Sequence, residues 1–186
     1  MKIFLHGKEI EIRSIDDALR HHIGYVPEDR QTQGLFLDRS IHENTTAASI
    51  RRYATAGKID QKRMVEDTLT WIKKIGCNAK NPDAAIRTLS GGNAQKMVIA
   101  KWLNTQPELL ILNGPTVGVD IGAKADIHHY LHTLAADGLG VIVISDDLSE
   151  LIQNCNRILV MKDGAPVATL NAEETDETTL ANLLSN

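Results

Sequence analysis

A serine and two glycines placed just before an apolar helix are the first residues whose types and spacing could do chemistry. They are Ser90, Gly91 and Gly92 in the stretch TLSGGNAQK. Glycines have no Cβ, so their amides can approach an anion closely, and the helix dipole adds positive potential at that end. The pattern indicates a phosphate-binding corner, although the same residues also suit a plain helix start.

A second candidate is the stretch LLILNGPTVGVD, in which polar residues follow an apolar strand. Where acids would be expected at the end of that strand, the chain has Asn113 and Gly114. They fit either a catalytic strand that has lost its acids or a hairpin, for which Asn-Gly is a strong signal. Pro115 argues against the hairpin, because a return strand that starts on proline loses a ladder bond. We therefore favour the degenerate catalytic strand.

Composition and charge argue against several classes of protein. The 24 acidic residues outnumber the 20 basic ones, and no basic block stands out, so a nucleic-acid partner is not expected. The longest apolar runs are far shorter than the roughly 20 residues that cross a bilayer, and Met1 does not begin a cleavable leader pattern. Cys77 and Cys155 lack any C-x-x-C partner, and the paired histidines do not share a helix face. We expect reduced thiols, a cytosolic protein and no metal site.

The first predicted elements along the chain are short. The stretch MKIFLHGKEIEIRS alternates on both sides of His6–Gly7 and predicts two strands joined by a tight turn. Ser14 predicts the N-cap of a helix over IDDALRHH. The strand IGYV should stop at Pro27, so the polar stretch PEDRQTQG is expected to be a loop.

The pattern from residue 40 to about residue 86 is helical, and no strand signal interrupts it. The stretch MVEDTLTWIKKIG is predicted to be a helix that ends at Gly76. Its apolar side is predicted to carry Val65, Leu69, Ile72 and Ile75.

Beyond residue 87 helices and buried strands alternate, which is typical of a parallel sheet covered on both faces. LSGGNAQKMVIAKWL and GAKADIHHYLHTLAAD are predicted helices, and ELLIL and GVIVIS are predicted strands. A closing hairpin turns at Asp163–Gly164, and DETTLANLLSN can form a last helix. We predict one α/β domain over 1–186, with parts 1–39, a helical insert at 40–87, and 88–186.

Five motifs in this order resemble the ATP-binding cassette (ABC) ATPases. LSGGN matches their signature motif, LLILNG stands at their Walker B strand and VGVD at their D-loop. YVPEDR resembles their Q-loop segment, with Glu28 in the glutamine position, and GLFLDRSIHEN continues it. The combination is most similar to the second nucleotide-binding domain of ribose- and galactoside-type carbohydrate importers. The resemblance runs from about Ile3 to Leu184.

The resemblance implies a P-loop NTPase-like fold with a mostly parallel sheet, a helical subdomain at 40–87 and antiparallel N-terminal strands. It implies the ATP-binding component of a sugar transporter, in which two nucleotide-binding domains close head to tail around ATP and Mg²⁺. The helical insert would dock on transmembrane permease subunits at the cytoplasmic face of the membrane.

The resemblance also implies roles for single residues. The Ser90 hydroxyl would bond the γ-phosphate, the two glycine amides would cradle it, and Asp120 would bridge the contact between the two domains. The implied nucleotide-binding residues are Ser90, Gly91, Gly92, Asn93, Glu28 and Asp120.

Three departures from the family pattern bear on catalysis. The G-x-x-x-x-G-K-[ST] loop of Walker A has no match here, and in the family it lies upstream of the first strand, so we expect this chain to lack it. Asn113 and Gly114 stand where the family has a Mg²⁺-binding aspartate and a water-activating glutamate, whose loss typically costs about 10²–10⁴ in rate. Asp146, at the switch position, would repel a γ-phosphate.

We therefore expect an ATP-binding component that is hydrolysis-deficient by itself. The alternative is a non-catalytic interaction module that docks on the permease or on a partner ATPase domain. A cassette acting on DNA or ribosomes is disfavoured by the net charge of −4 and by the lack of a coiled-coil insertion. Because the Walker A strand is interior in this fold, its absence should leave neighbouring strands with unpaired backbone and uncovered apolar faces.

Overall fold

The structure is a computed structural model that describes residues 2–185; Met1 and Asn186, the ends of the predicted range, lie outside the described residues. It begins with a hairpin of β1 (Ile3–Leu5) and β2 (Lys8–Ile10). The turn uses left-handed backbone at His6 (φ 50°) and Gly7 (φ 73°), as a tight hairpin turn requires. Helix α1 (Ile15–Arg20) follows its predicted cap, because the Ser14 side chain accepts a hydrogen bond from the Asp17 amide.

The segment after β3 (Ile23–Val26) differs from its prediction as a loop. Residues Arg30–Gly34 form one π-helical turn. The Asp29 carboxylate caps this turn by accepting hydrogen bonds from the Gln31 and Thr32 amides at 2.9 and 3.2 Å. The capping aspartate supplies the acceptor that lets this polar stretch coil instead of staying extended.

The next segment contains two helices with a small hairpin between them. Helix α2 (Ile41–Thr46) starts with a capping box formed by Ser40 and Glu43, and a 3₁₀ helix (Ala47–Tyr53) continues it. The hairpin of β4 (Ala54–Thr55) and β5 (Lys58–Ile59) corrects the prediction that no strand interrupts this segment. Each strand has two residues, which is too short to show an alternating pattern.

Helix α3 (Gln61–Lys74) confirms the predicted helix and the burial of Ile72 and Ile75, but its buried face is shifted from the predicted one. Met64, Thr68 and Ile72 are buried, whereas Leu69 is 45% exposed. The prediction for Leu69 is wrong because the helix is rotated toward Thr68. Thr68 can be buried because its hydroxyl donates to the Met64 carbonyl oxygen at 2.8 Å, which satisfies its polar group within the helix.

The two ends of this segment lie side by side. The Ile41 amide donates to the Ala84 carbonyl at 3.0 Å, and the Ile86 amide donates to the Arg39 carbonyl at 2.9 Å. Ile41 and Ile86 also belong to the hydrophobic cluster that includes the central strands. The segment therefore leaves and rejoins the rest of the chain at one place, and it shares the main core.

A parallel sheet forms the centre of the fold, as predicted. After helix α4 (Gly91–Leu103) come β6 (Leu109–Asn113), helix α5 (Ile121–Ala136) and β7 (Gly140–Ile144). The strand order is β3-β6-β7, and both pairs are parallel. Leu110 and Leu112 of the central strand are fully buried. Helix α4 is buried almost all round, so it is a core helix rather than an amphipathic surface helix.

The C-terminal part packs around a second, smaller cluster. Helix α6 (Leu148–Asn154) precedes the hairpin of β8 (Arg157–Lys162) and β9 (Ala165–Asn171), and helix α7 (Glu177–Ser185) follows. The hairpin turns at Asp163–Gly164, as predicted. Its cluster is formed by Ile158, Val160, Ala172 and Leu180. None of the helices in the described residues is long and apolar enough to span a membrane.

Strand β7 has an open edge. Within residues 2–185 it pairs only with β6, and the β8–β9 hairpin forms a separate sheet. Ile142 and Ile144 on β7 are 47% and 49% exposed, which is unusual for a parallel sheet. Within the described residues, this edge of the sheet therefore has unpaired backbone and two exposed apolar side chains.

The open edge of β7 predicts self-association of the isolated chain, because an unpaired apolar strand is a template for pairing. At micromolar concentration we expect gel filtration to show a species larger than the monomer. Ile142→Lys combined with Ile144→Lys should shift it toward the monomer. Ile15→Lys, which changes another exposed isoleucine on α1, should leave the profile unchanged. A monomer at every concentration in the unsubstituted chain would contradict this prediction.

Candidate functional site

The carboxyl ends of β3, β6 and β7 meet at one edge of the sheet, and two cavities open there. The larger has a volume of about 550 Å³ and lies beside Glu28, Arg30 and Gly118. The smaller, of about 240 Å³, lies beside Gly114 and Asp146. Both are lined by Glu28, Asn113 and Val117. This is the place where open α/β sheets bind ligands, and the structure brings Glu28, Asn113, Gly114 and Asp146 together around it.

The Asn113–Gly114 pair ends a strand and does not form a hairpin. Strand β6 is followed by a turn and helix α5, and the Gly114 amide donates to the Ile144 carbonyl of parallel strand β7 at 2.8 Å. The hairpin interpretation is therefore wrong. Gly114 has φ +56°, and an ideal Cβ there would lie 2.9 Å from Val117 Cγ2 and 3.1 Å from Glu28 Cγ. A side chain at position 114 would therefore be strained by the backbone and would have to displace Val117 or Glu28.

The acids around the cavities fall into free and engaged groups. Glu28 and Asp146 are exposed, and neither has a hydrogen-bond or ion-pair partner in the part of the chain that the structure describes. Asp147 instead binds Lys124 Nζ at 2.7 Å, and this bond, with those from Ser149 and the Glu150 amide, holds the pKa of its carboxyl far below the usual range. The free pair can therefore bind a ligand without competition from partners within the chain.

The predicted phosphate-binding corner is a capped helix start. Ser90 is exposed, and its hydroxyl oxygen accepts hydrogen bonds from the amide and the side-chain Nδ2 of Asn93 at 3.5 and 2.8 Å. The Asn93 Oδ1 accepts a bond from the Asn78 amide at 2.7 Å, so its side chain is already used within the fold. The amides of Gly91 and Gly92 have no acceptor among residues 2–185.

The two glycines have a packing role that the sequence did not reveal. An ideal Cβ on Gly92 would lie 2.4 Å from the Ala123 Cβ, and one on Gly91 would lie 3.0 Å from Arg30 Nη2 and 3.1 Å from the Gly118 carbonyl oxygen. Real Cβ atoms essentially never lie as close as 2.4 Å, and the distances at Gly91 are tighter than most real Cβ contacts. The missing Cβ atoms therefore allow α4 to pack against the loop after β6 and the start of α5, where Gly92 is buried.

Asp120 lies beside this corner but is engaged within the chain. Its Oδ1 accepts a hydrogen bond from the Ala123 amide at 2.9 Å and so caps α5. Its Oδ2 is 3.4 Å from the position of an ideal Cβ on Gly92. The structure thus brings Asp120 next to the Ser90–Asn93 corner, and the predicted bridge to another domain stays a prediction.

Glu150 is a site residue that the sequence did not single out. Its side chain is only 2% exposed, and its two carboxylate oxygens accept hydrogen bonds from Thr116 and Ser145, both at 2.6 Å. His128 Nε2 lies 2.8 Å from Oε1. Burial raises the pKa of the Glu150 carboxyl, but the contacts with His128, Ser145 and Thr116 outweigh it and bring the pKa to about 2. One buried carboxylate therefore ties together the loops after β6 and β7.

Comparison with known proteins decides the family. The ABC transporter profile matches residues 2–117. A ribose import ATP-binding protein of Geobacillus kaustophilus is 39% identical over 178 residues, covering 96% of this chain and 36% of the relative. The chain belongs to the ABC transporter ATPase family. The ribose import ATP-binding protein of Chelativorans sp. is 43% identical over 178 residues, covering 95% of this chain and 35% of that protein. The chain thus spans roughly a third of the length of these relatives.

Solved ABC cassettes share the fold. A nucleotide-free cassette superposes with a TM-score of 0.78 at 19% identity and covers 100% of this chain and 73% of the cassette. A dimeric post-hydrolysis cassette bound to ADP and Pi gives a TM-score of 0.76 at 21% identity and covers 94% of this chain and 74% of that one. The predicted family and P-loop NTPase-like fold are confirmed.

The close packing of Gly92 in this ABC domain predicts that one added methyl group has a large effect on stability. Gly92→Ala should lower the free energy of unfolding by about 1–3 kcal/mol, because the added Cβ collides with Ala123 and the two helices must separate. Gly122→Ala, whose Cβ would meet only Asp120 Oδ1 at 3.3 Å, should change it by less than about 1 kcal/mol. Urea unfolding of the two variants measures the difference. Equal stabilities would contradict this packing role.

The buried Glu150 predicts a pH dependence of stability. Its pKa is about 2 in the folded chain against an ordinary value of 4.5, so its contribution is present above pH 4.5 and is lost as the pH falls toward 2. The lost stability should be about 3 kcal/mol. Glu150→Gln should already be destabilised at pH 7 and should lose less between pH 5 and 3 than the unsubstituted chain. Thermal melts of both proteins across this pH range test the predicted difference in stability.

Glu66→Gln is the matched control, because Glu66 is exposed on α3 with only a long contact of 3.9 Å to Lys62. It should melt like the unsubstituted chain at each pH. If Glu150→Gln also melts like the unsubstituted chain, the carboxylate does not hold the two loops.

Proposed function

We propose that this chain is part of the ATP-binding component of a sugar ABC transporter and that it offers the Ser90–Asn93 corner to nucleotide held by a second cassette. The exposed Ser90 hydroxyl and the two unpaired amides at the start of α4 carry the proposal. The relatives named as ribose import ATP-binding proteins support the transport role and sugar class. In this proposal Asp120 lies at the rim of the contact with the second cassette.

The residues of the corner fit a terminal phosphate. The Ser90 oxygen is already an acceptor for Asn93, so its own proton is free to donate to a phosphoryl oxygen. The Gly91 and Gly92 amides add two donors at the positive end of α4. The Arg30 guanidinium, 3.0 Å from an ideal Cβ on Gly91, adds positive charge beside them. These groups bind and orient an anion, and they contribute no proton acceptor.

The other site, between Glu28 and Asn113, fits Mg²⁺ less well than the acid pair of the family. When bound there, Mg²⁺ would neutralise phosphate charge. The free carboxylates of this chain beside the two cavities are those of Glu28 and Asp146, whereas Asn113, at the position of the family's aspartate, offers only an amide oxygen, which is a neutral and weaker ligand. Gly114 has no side chain and therefore supplies no base. Asp146 adds a negative charge that repels a phosphate. The chain is therefore expected to be deficient in hydrolysis by itself.

The proposed partners are a second nucleotide-binding domain and the transmembrane permease subunits. The segment 40–87 is proposed as the helical subdomain that docks on the permease. Docking there would hold the chain at the cytoplasmic face of the membrane. No nucleic-acid partner is proposed. Residues 39–41 pair with residues 84–86, so both ends of the segment are held at one place on the rest of the chain. Exposed Leu69 and Ile50 lie on this segment.

Equilibrium binding of labelled ATP tests the proposal, with the chain alone and with a complete cassette that carries its own phosphate-binding loop. We expect tighter ATP binding by the mixture than by the complete cassette alone. Ser90→Arg should remove that gain, a loss of about tenfold or more, because it replaces a charge-assisted donor by a bulky side chain at the corner. Ser185→Arg, at the exposed end of α7, is the matched control and should keep it.

The alternative is a non-catalytic interaction module, and Gly114 favours it, since a glycine supplies no general base at that position. This alternative predicts that the chain binds purified permease equally well with and without ATP, and that Ser90→Arg has no effect. ATP-dependent binding that is lost in Ser90→Arg excludes the alternative.

A further inference from the structure

Arg30 joins three parts of the molecule that are far apart in sequence. Its Nη1 donates to the Val117 carbonyl at 2.8 Å and its Nη2 to the Gly118 carbonyl at 2.9 Å. The same Nη2 lies 3.0 Å from the position of an ideal Cβ on Gly91. One guanidinium therefore contacts the loop after β6 and the first turn of α4 at once.

The segment that carries Arg30 is anchored at both ends. At its far end, the Gly34 carbonyl accepts a hydrogen bond from Lys101, a buried residue near the end of α4. Burial lowers the pKa of the Lys101 ammonium to about 8, so it still donates at neutral pH. Arg30 makes the near-end contact, beside Gly91 at the start of α4. Residues 30–34 thus lie along α4 and are held by a cation at each end.

The charge of Arg30 has no carboxylate partner within 4.0 Å in residues 2–185. Two carbonyl oxygens satisfy its hydrogen bonds but do not neutralise it. The guanidinium also lies next to the positive end of α4, where a second positive charge is unfavourable until an anion binds. The arrangement is therefore one that an anionic ligand at Ser90–Asn93 would stabilise.

Lysine cannot reproduce this contact. The two carbonyls belong to consecutive residues, and the planar fork of arginine meets both in parallel, whereas an ammonium is a single point charge on a flexible stem. Gly118, with φ +66°, brings its carbonyl toward the guanidinium, and an ideal Cβ on it would lie 3.5 Å from both terminal nitrogens of Arg30. The site requires arginine on one side and glycines at positions 91 and 118 on the other.

We propose that Arg30 is a positioning residue that holds the loop at 114–120 against the Ser90–Asn93 corner, so that the segment 28–34 and the phosphate-binding corner move as one unit. The proposal rests on the proposed function only for the identity of the anion. The contact itself is a property of this chain and is tested without nucleotide.

Hydrogen exchange of the full chain tests the contact. The Val117 amide bonds to the Gly114 carbonyl in the loop, and the Ala94 amide bonds to the Ser90 carbonyl at the corner. Arg30→Lys should raise exchange at both amides together by about tenfold, the equivalent of one charge-assisted hydrogen bond. Arg39→Lys, which changes an exposed arginine that contacts Glu43 at 3.6 Å, should leave both at the unsubstituted rate. Faster exchange at only one of the two places, or at neither, overturns the proposal.

Chemical rescue separates positioning from a general loss of structure. In Arg30→Ala, methylguanidine should restore slow exchange at both amides, and methylammonium at the same ionic strength should not. If the two compounds act equally, or if neither acts, the planar fork is not what holds the loop.

Gly91→Ala changes the α4 side of the same contact. It should also raise exchange at both amides, because its Cβ displaces the guanidinium.

Binding of labelled ATP with a complete cassette then tests the consequence for the corner. Arg30→Lys should weaken the composite binding by about tenfold while its melting temperature stays close to that of the unsubstituted chain. Unchanged affinity overturns the link to the corner. If the unsubstituted chain gives no composite binding, the proposed function fails, and the exchange and rescue results still decide the role of Arg30.

Discussion

The first turn of α4 lies against the start of α5 at a distance that only glycine permits. A Cβ on Gly92 would be 2.4 Å from that of Ala123, so the two helix starts are in backbone contact. Both starts are capped by their own side chains, Ser90 for α4 and Asp120 for α5. This contact fixes the polar corner relative to the loop that follows β6, and every group at this edge of the sheet takes its place from it.

The groups around that edge divide into those that build it and those that are free. Glu150 binds two hydroxyls and is buried, so it fixes the loops after β6 and β7. Arg30 binds two carbonyls of the first loop from the opposite side. Glu28, Asp146 and the amides at the start of α4 have no partners in the described residues. A rigid frame thus presents a few unsatisfied polar groups, which is the arrangement that ligand binding requires.

The central sheet has three strands in the described residues. Strand β6 has neighbours on both edges, whereas β3 and β7 each have a neighbour on one edge only, and the β8–β9 hairpin has its own cluster. Solved cassettes are longer than this chain, which covers 73% and 74% of two of them. The main cluster nevertheless joins the helical segment, α4 and the central strands in one core, so the polar edge does not depend on β7 alone.

Local signals in the sequence determined most of the elements, because their energies come from residues a few positions apart. Ser14 and Ser90 cap the helices that follow them, alternation indicated the first hairpin, short apolar runs indicated the central strands, and the order of the motifs indicated the family. The rotation of α3 toward Thr68 and the two-residue strands of β4 and β5 were missed, since packing rather than hydrophobic periodicity decides them.

The composition of the candidate site was visible in the sequence, but its internal contacts were not. Arg30 meets Val117 across 87 positions, and Glu150 meets Thr116 across 34. The glycines at 91 and 92 suggested close approach of an anion, and the structure adds a packing reason for them, because a Cβ at these positions would meet Arg30 or Ala123. The sequence by itself determined which polar groups stand at the ends of the strands and helices. Only the tertiary structure decided which of them are engaged and which are free, because that depends on how the helices and loops pack across large separations in the chain.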